Sequence, residues 1–245
     1  LFKHLFNLVD VKLDASLIRE TGRGQTARAR LLEAAIEVFG EKGPRAASVR
    51  EIARTAGQNV AAISYYFGSK EGLYHAALEC IVQVLHRQMG DVLGEIGAFC
   101  RLPEQSKSEA LRLLQAFFRG IYLRLLSRKE VLYIGRLIIR EQTQPSAGFQ
   151  ILYDNAFREI HQSLCLLAGK VLGTAPEDPR TIIRTHSLMG QFWFFAIARE
   201  TILRRLGWRT LEGDHAALVA DVLAENIEII LCGAGANPER LVSKP

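Results

Sequence analysis

The four cysteines of this 245-residue chain, Cys80, Cys100, Cys165 and Cys232, form no C-x-x-C pair. Their scatter argues against a zinc finger or a disulfide framework and points to reduced, mostly buried thiols in a reducing compartment. His161 and Cys165 stand four apart on one expected helix face, but two ligands do not complete a zinc site, so no metal or cofactor is expected. Long apolar runs are also missing. The longest candidate, Phe192 to Ala198, is cut short by Gln191 and Arg199, well below the roughly 18 residues of a membrane span. A cytoplasmic protein with no membrane partner is expected. The chain shows no strand-like alternation, no internal repeat and no low-complexity segment. Its six histidines are dispersed, and no Ser-His-Asp or paired-carboxylate grouping stands at readable spacing. An enzyme is therefore not expected, although histidines far apart in sequence can meet in space, which keeps a bundle enzyme open as an alternative.

What is present is a globular composition, 49% hydrophobic with a net charge of +5. That balance is compatible with nucleic acid without demanding it. Residues 1–22 mix apolar and basic side chains but show neither the longer apolar core nor the small-residue cleavage site of a secretory signal. They are set apart as an N-terminal extension, joined by Thr21-Gly22-Arg23-Gly24.

From Thr26 the apolar positions Leu32, Ala35, Ile36 and Phe39 recur at helical spacing until Lys42-Gly43-Pro44. Ser48-Val49-Arg50-Glu51 fits a capping box, so a short helix should start at Ser48 and end before Gly57. Asn59 is placed to cap a third helix ending near Phe67, and Ser69-Lys70-Glu71 opens a fourth, to about Gly90. Beyond it, long helices are expected from Ser106 to about Arg128, over 130–142, over 146–172, from Asp178 to about Gly207, and from Asp214 to about Gly233. The fold class is all-α, with an N-terminal three-helix domain and a C-terminal helical bundle.

Two short helices across a glycine turn are the geometry that lays a helix into the DNA major groove. An ordinary helical hairpin is the competing reading, and composition separates the two. Ile52, Ala53, Ile63 and Phe67 supply an inward apolar face. The outward face carries Asn59, Ala61, Ala62, Ser64 and Tyr65, and no acidic residue occurs from Asn59 through Ser69. A helix facing phosphates should lack carboxylates in this way.

The stretch from Thr26 to Tyr74 resembles the TetR family of bacterial regulators. The matching elements are Ala34-Ala35 through Phe39, Ser48-Val49-Arg50-Glu51-Ile52-Ala53, Ala56-Gly57, Ile63-Ser64-Tyr65-Tyr66-Phe67 and Ser69-Lys70-Glu71-Gly72-Leu73-Tyr74. Gln58 to Ile63, Arg140 to Ser146 and Arg204-Arg205-Leu206-Gly207-Trp208 are similar to the CecR subgroup. The resemblance implies a helix-turn-helix DNA-binding domain at 23–74 and a ligand-binding and dimerisation domain at 75–245. It implies a homodimeric transcriptional repressor, released from a palindromic double-stranded operator by a small apolar or amphipathic ligand. It also implies phosphate or base contacts for Ser48 and Arg50, base reading by Asn59, Val60, Ala61 and Ala62, a phosphate contact for Tyr66 beside Tyr65, and phosphate binding by Lys70. Gln58 and Ser64 depart from the family's usual residues, which bears on which operator is bound. Tyr65 and Tyr66 also fit half-buried packing aromatics.

Pocket candidates in the bundle are Phe117, Ile121, Tyr133, Arg136, Leu137, Arg140, Tyr153, Phe157 and His161. Such residues at helical spacing also make ordinary cores. Arg136 and Arg140, with Glu141 beside them, fit either an anion clamp or a structural ion pair. A thiol redox sensor within the same fold is a further alternative, which would need an exposed, activated cysteine. The aromatic run Phe192-Trp193-Phe194-Phe195 points round most of its helix, so a second chain is expected to cover part of it.

Overall fold

The computed structural model describes residues 23–126 and 132–234. The N-terminal extension, residues 1–22, lies outside the described residues. Among the described residues all regular structure is helical: α1 (Arg23–Ala46), α2 (Val49–Thr55), α3 (Val60–Phe67), α4 (Lys70–Cys100), α5 (Lys107–Ile121), α6 (Leu132–Thr143), α7 (Ala147–Leu152), α8 (Arg158–Leu172), α9 (Pro179–Ile197), α10 (Arg199–Leu206) and α11 (Asp214–Ala234). Two five-residue π-helical turns, Tyr122–Leu126 and Tyr153–Phe157, follow α5 and α7.

Local chemistry sets most helix ends. Ser106 Oγ accepts from Glu109 N at 3.0 Å and starts α5. Asp178 Oδ1 accepts from Arg180 N and Thr181 N, with Pro179 in the first turn of α9. These bonds satisfy amides that a helix start otherwise leaves unpaired. Gly173 and Gly207 end α8 and α10 in the left-handed conformation.

Two features differ from expectation. The fourth helix runs ten residues past Gly90, to Cys100. The helix expected to run unbroken from Asp178 to Gly207 is split at Ala198, whose φ of −111° and ψ of 28° end α9. The chain forms two compact units, each drawn from two stretches of sequence. One holds the described residues up to 81 together with 132–151; the other holds 82–126 and 152–234.

In the first unit α1 packs on α2 and α3 and, more extensively, on α6. Leu31, Ala35, Ile36 and Phe39 of α1 and Ile134, Leu137 and Ile138 of α6 are buried, as are Ile52, Ile63 and Leu73. Gly40 allows the close approach of α6: a Cβ there would lie 2.9 Å from the Tyr133 carbonyl oxygen. Gly43, at φ 78° and ψ 163°, kinks α1, a conformation that other residues adopt only under strain.

In the second unit α5 packs against α8 and α11, and α8 against α9. Its core holds Leu113, Leu114, Phe117, Phe118, Leu164, Leu167, Phe192, Ala220, Leu223 and Ile227. Gln115 donates to the Ala224 carbonyl at 3.0 Å, and Arg119 pairs with Asp221, so α5 and α11 are also held by polar contacts.

Candidate nucleic-acid interface

The turn between α2 and α3 positions the candidate surface. Ala56 caps α2, Gly57 turns the chain at φ 62°, and Asn59 starts α3 by accepting from Ala61 N at 2.9 Å. Ile52 and Ala53 of α2 and Ile63 of α3 close the space between the two helices. The opposite side of α3 therefore faces outward. Val60, Ala61, Ser64 and Tyr65 are all exposed there, at i, i+1, i+4 and i+5. Tyr65 is 82% exposed. Its ring meets Tyr66 edge to face at 4.9 Å, and the half-buried Tyr66 braces it from behind. Ala62 and Gln58 are half-buried.

Ser48 caps α2 by accepting from Arg50 N at 3.2 Å. The full capping box is not formed, because the Glu51 carboxylate pairs with Lys42 of α1. That pairing offsets the charge of Glu51, while Arg50 stays exposed. Lys70 is half-buried, and its ammonium donates to the carbonyls of Ala47 at 2.9 Å and Arg45 at 3.3 Å. It therefore ties the start of α4 to the end of α1, and one of its three N–H donors remains available.

The nine pocket candidates are divided between the two units. Tyr133, Arg136, Leu137 and Arg140 lie in the first. Tyr133 donates to Glu41 of α1 at 3.3 Å, the exposed Arg136 lies over the Tyr133 ring at 5.7 Å, and Leu137 is fully buried. Arg140 lies over the kink in α1, where a Cβ on Gly43 would come within 2.5 Å of its Nη1. Its Nε is buried without a hydrogen-bond partner. Arg136 and Arg140 thus have different immediate neighbours. Glu141 is turned away to a buried contact with Tyr74 and Ser146.

Phe117, Ile121, Tyr153, Phe157 and His161 lie in the second unit. Phe117 is buried edge to face against Phe118, and Tyr153 is exposed beneath Arg158. His161 Nδ1 lies 3.4 Å from Cys165 Sγ, and its ring centroid is 5.9 Å from that of His186. Burial, then the neighbouring His186, holds the His161 pKa below its ordinary value. Burial pushes the Cys165 thiol up, which does not favour a reactive thiolate. Among the described residues no group of three or more His, Cys, Asp or Glu side chains is arranged to hold a metal ion.

Sequence reading missed Tyr122. It is 1% exposed and packs edge to face on Phe192 and Phe195, with ring centroids 6.0 Å away in each case. Its hydroxyl has no hydrogen-bond partner. Burial raises its pKa to about 12, with Arg199 pulling the other way. The signal in the sequence was slight: a tyrosine four residues after Phe118, on the face that supplies the core.

Comparison with known proteins places this geometry. Residues 31–77 match the family model for bacterial regulatory proteins of the tetR family. Residues 110–234 match the model for the C-terminal domain of the HTH-type transcriptional dual regulator CecR. The chain is 33% identical over 213 residues to the HTH-type transcriptional dual regulator CecR of Shigella flexneri, covering 87% of this chain and 95% of that protein. It is 36% identical over 110 residues to the HTH-type transcriptional repressor NicS of Pseudomonas putida, covering 43% of this chain and 48% of that protein. The fold is shared with a putative TetR-family regulator from Mesorhizobium loti, at TM-score 0.56 and 16% identity over 87% of this chain and 98% of that one. It is also shared with AmtR of Mycobacterium smegmatis, at TM-score 0.57 and 19% identity over 89% and 91%.

Proposed function

Because the chain belongs to the TetR family of DNA-binding transcriptional regulators, we propose that it is a homodimeric repressor, released from a palindromic operator by a small apolar or amphipathic ligand. The observation that carries the reading is the outward side of α3, which is exposed, free of carboxylates and led by its N-terminus. Ser48, Arg50, Gln58, Asn59, Val60, Ala61, Ala62, Ser64, Tyr65, Tyr66 and Lys70 form the DNA-contacting set. Helix N-termini and basic side chains hold phosphates, while outward groups on α3 meet base edges.

Dimerisation uses α9 and α11. Ile183, Phe194 and Ile197 are exposed on α9, and Leu218, Val222 and Ile229 on α11. Ile183, Phe194 and Ile197 stand 11 and 3 residues apart, and Leu218, Val222 and Ile229 stand 4 and 7 apart, close to multiples of the 3.5-residue period of helices that pack on a partner. Exposed apolar stripes of this length mark association surfaces.

The ligand occupies the interior of the second unit, near Phe117, Ile121, Phe157 and His161. Tyr122 supports the placement. A buried hydroxyl without a partner costs about 1–3 kcal/mol, which a ligand acceptor would recover. The nearby π-helical turn fits it too, since such turns often lie at functional sites.

Selection of bound duplexes from a random pool tests the reading. The expected result is an enriched sequence with twofold symmetry, which represses a reporter placed behind it. Failure to enrich any sequence defeats the DNA-binding assignment. Enrichment followed by activation alone defeats the repressor assignment. A ligand found by thermal shift should then weaken operator binding about 5- to 150-fold, the usual range of such couplings.

A further inference from the structure

We infer that α3 identifies its operator chiefly through the 5-methyl groups of thymines, met by Val60 and Ala61, and not through paired hydrogen bonds to guanine or adenine. The inference rests on the DNA-binding reading above and specifies what that surface recognises.

The side chains that usually discriminate bases are arginine and lysine on guanine, and asparagine or glutamine on adenine, each through two hydrogen bonds at once. From Val60 to Phe67 the helix contains none of them. Asn59 stands at the helix start, but its Oδ1 already accepts from Ala61 N at 2.9 Å. Pairing with adenine requires that same oxygen to turn towards a base while the amide nitrogen donates. Gln58 precedes the helix and is half-buried.

What the first outward turn offers instead is methyl groups. Val60 is 37% exposed and Ala61 is exposed beside it. No charged residue occurs from Gln58 to Ser69, and the next outward positions, Ser64 and Tyr65, carry hydroxyls. Thymine is the one base that presents a methyl in the major groove, and apolar side chains are its natural contacts. Arg50, exposed on α2, is left for phosphate or for a single flanking base.

The test uses the full-length protein and the duplex that it enriches from a random pool. Each thymine is replaced in turn by deoxyuridine, which removes only the methyl, and each guanine by 7-deazaguanine, which removes only the N7 acceptor. Loss of one buried methyl should weaken binding about fourfold, and about fifteenfold when both half-sites are changed, from the transfer free energy of one such group. One or two thymines per half-site should respond, and 7-deazaguanine should matter little inside the α3 footprint. In Val60→Ala the response at one of those thymines should shrink towards unity. Its surface position in the first turn leaves folding intact, which circular dichroism checks. Ala61→Ser gives a second, independent probe. A flat deoxyuridine scan on an enriched operator, or a dominant 7-deazaguanine effect within the α3 footprint, overturns this inference and leaves the DNA-binding assignment standing. A pool with no enriched sequence overturns both.

Discussion

Tyr74 and Glu141, 67 residues apart, meet in the first unit, where the Tyr74 hydroxyl donates to Glu141 Oε1 at 2.5 Å. Glu141 is 1% exposed, and its oxygens also accept from Ser146 N and Oγ. Burial, then the hydrogen bond to Glu141, pushes the Tyr74 pKa far above its ordinary value, so the phenol stays protonated and donates. The base of α4 is thereby fastened to the turn between α6 and α7. Tyr74→Phe should lower stability by about 1.5–3 kcal/mol, the range for a hydrogen bond to a charged group. Glu141→Gln should cost a similar amount, and the double variant clearly less than the sum. Urea unfolding of the three variants checks this; strictly additive losses would separate the two residues energetically.

Lys70 has two roles that one variant distinguishes. Lys70→Met removes its bonds to the Arg45 and Ala47 carbonyls and should cost about 1–3 kcal/mol of stability. If its remaining donor meets phosphate, the slope of log affinity against log salt should also fall by about 0.9 for each Lys70 engaged. Operator titrations at several salt concentrations read the slope. Lost stability with an unchanged slope leaves Lys70 as an anchor alone.

The proposed dimer surface gives a charge-insertion test. Phe194, 64% exposed, and Ile229, 67% exposed, project from α9 and α11. Phe194→Glu and Ile229→Glu should each convert the dimer to a folded monomer by equilibrium sedimentation. Leu102→Glu, at a position 52% exposed in the turn after α4, should leave association unchanged. Dimers that survive both substitutions place the interface elsewhere.

His161 makes stability depend on pH. In the unfolded chain its imidazole takes up a proton near pH 6.5, whereas in the folded protein burial and His186 hold that event to lower pH. Between the two values the unfolded state binds more protons, so stability falls as pH drops through 6.5 and this contribution levels off below the folded value. The urea midpoint should decline from pH 7.5 to 5.5, and His161→Gln should make that decline shallower. An equally steep decline in the variant assigns the effect to other groups.

The legible parts of the fold are those written in neighbouring residues. Ser48, Asn59, Ser106 and Asp178 announce helix starts because a side-chain oxygen reaches an amide two or three positions on. Gly173 and Gly207 announce ends because they tolerate positive φ. The family resemblance was legible for the same reason, since the α2–α3 turn is a compact local motif. Gly90, read as a stop, is instead carried inside α4; a single glycine costs a helix only about 1 kcal/mol. The break at Ala198 has no glycine or proline to mark it. The π-helical turns were equally hidden. The fates of Arg140 and Glu141 were out of reach, because Gly43, Tyr74 and the kink in α1 are distant in sequence. The exposed stripe of α3 was read from composition, and the bond from Ala61 N to Asn59 Oδ1 matches the cap expected there.

The pairing of α1 with α6 also imposes an order on biosynthesis. Helices α2 and α3 are complete by residue 67, yet the side of α1 buried against α6 stays uncovered until residues 132–151 have been made. At about 5–20 residues per second, the ribosome leaves that face waiting for several seconds beside a growing chain. A fragment ending at residue 81 would carry every residue expected to touch DNA and still lack the Ile134, Leu137 and Ile138 side chains that seal the back of its first helix.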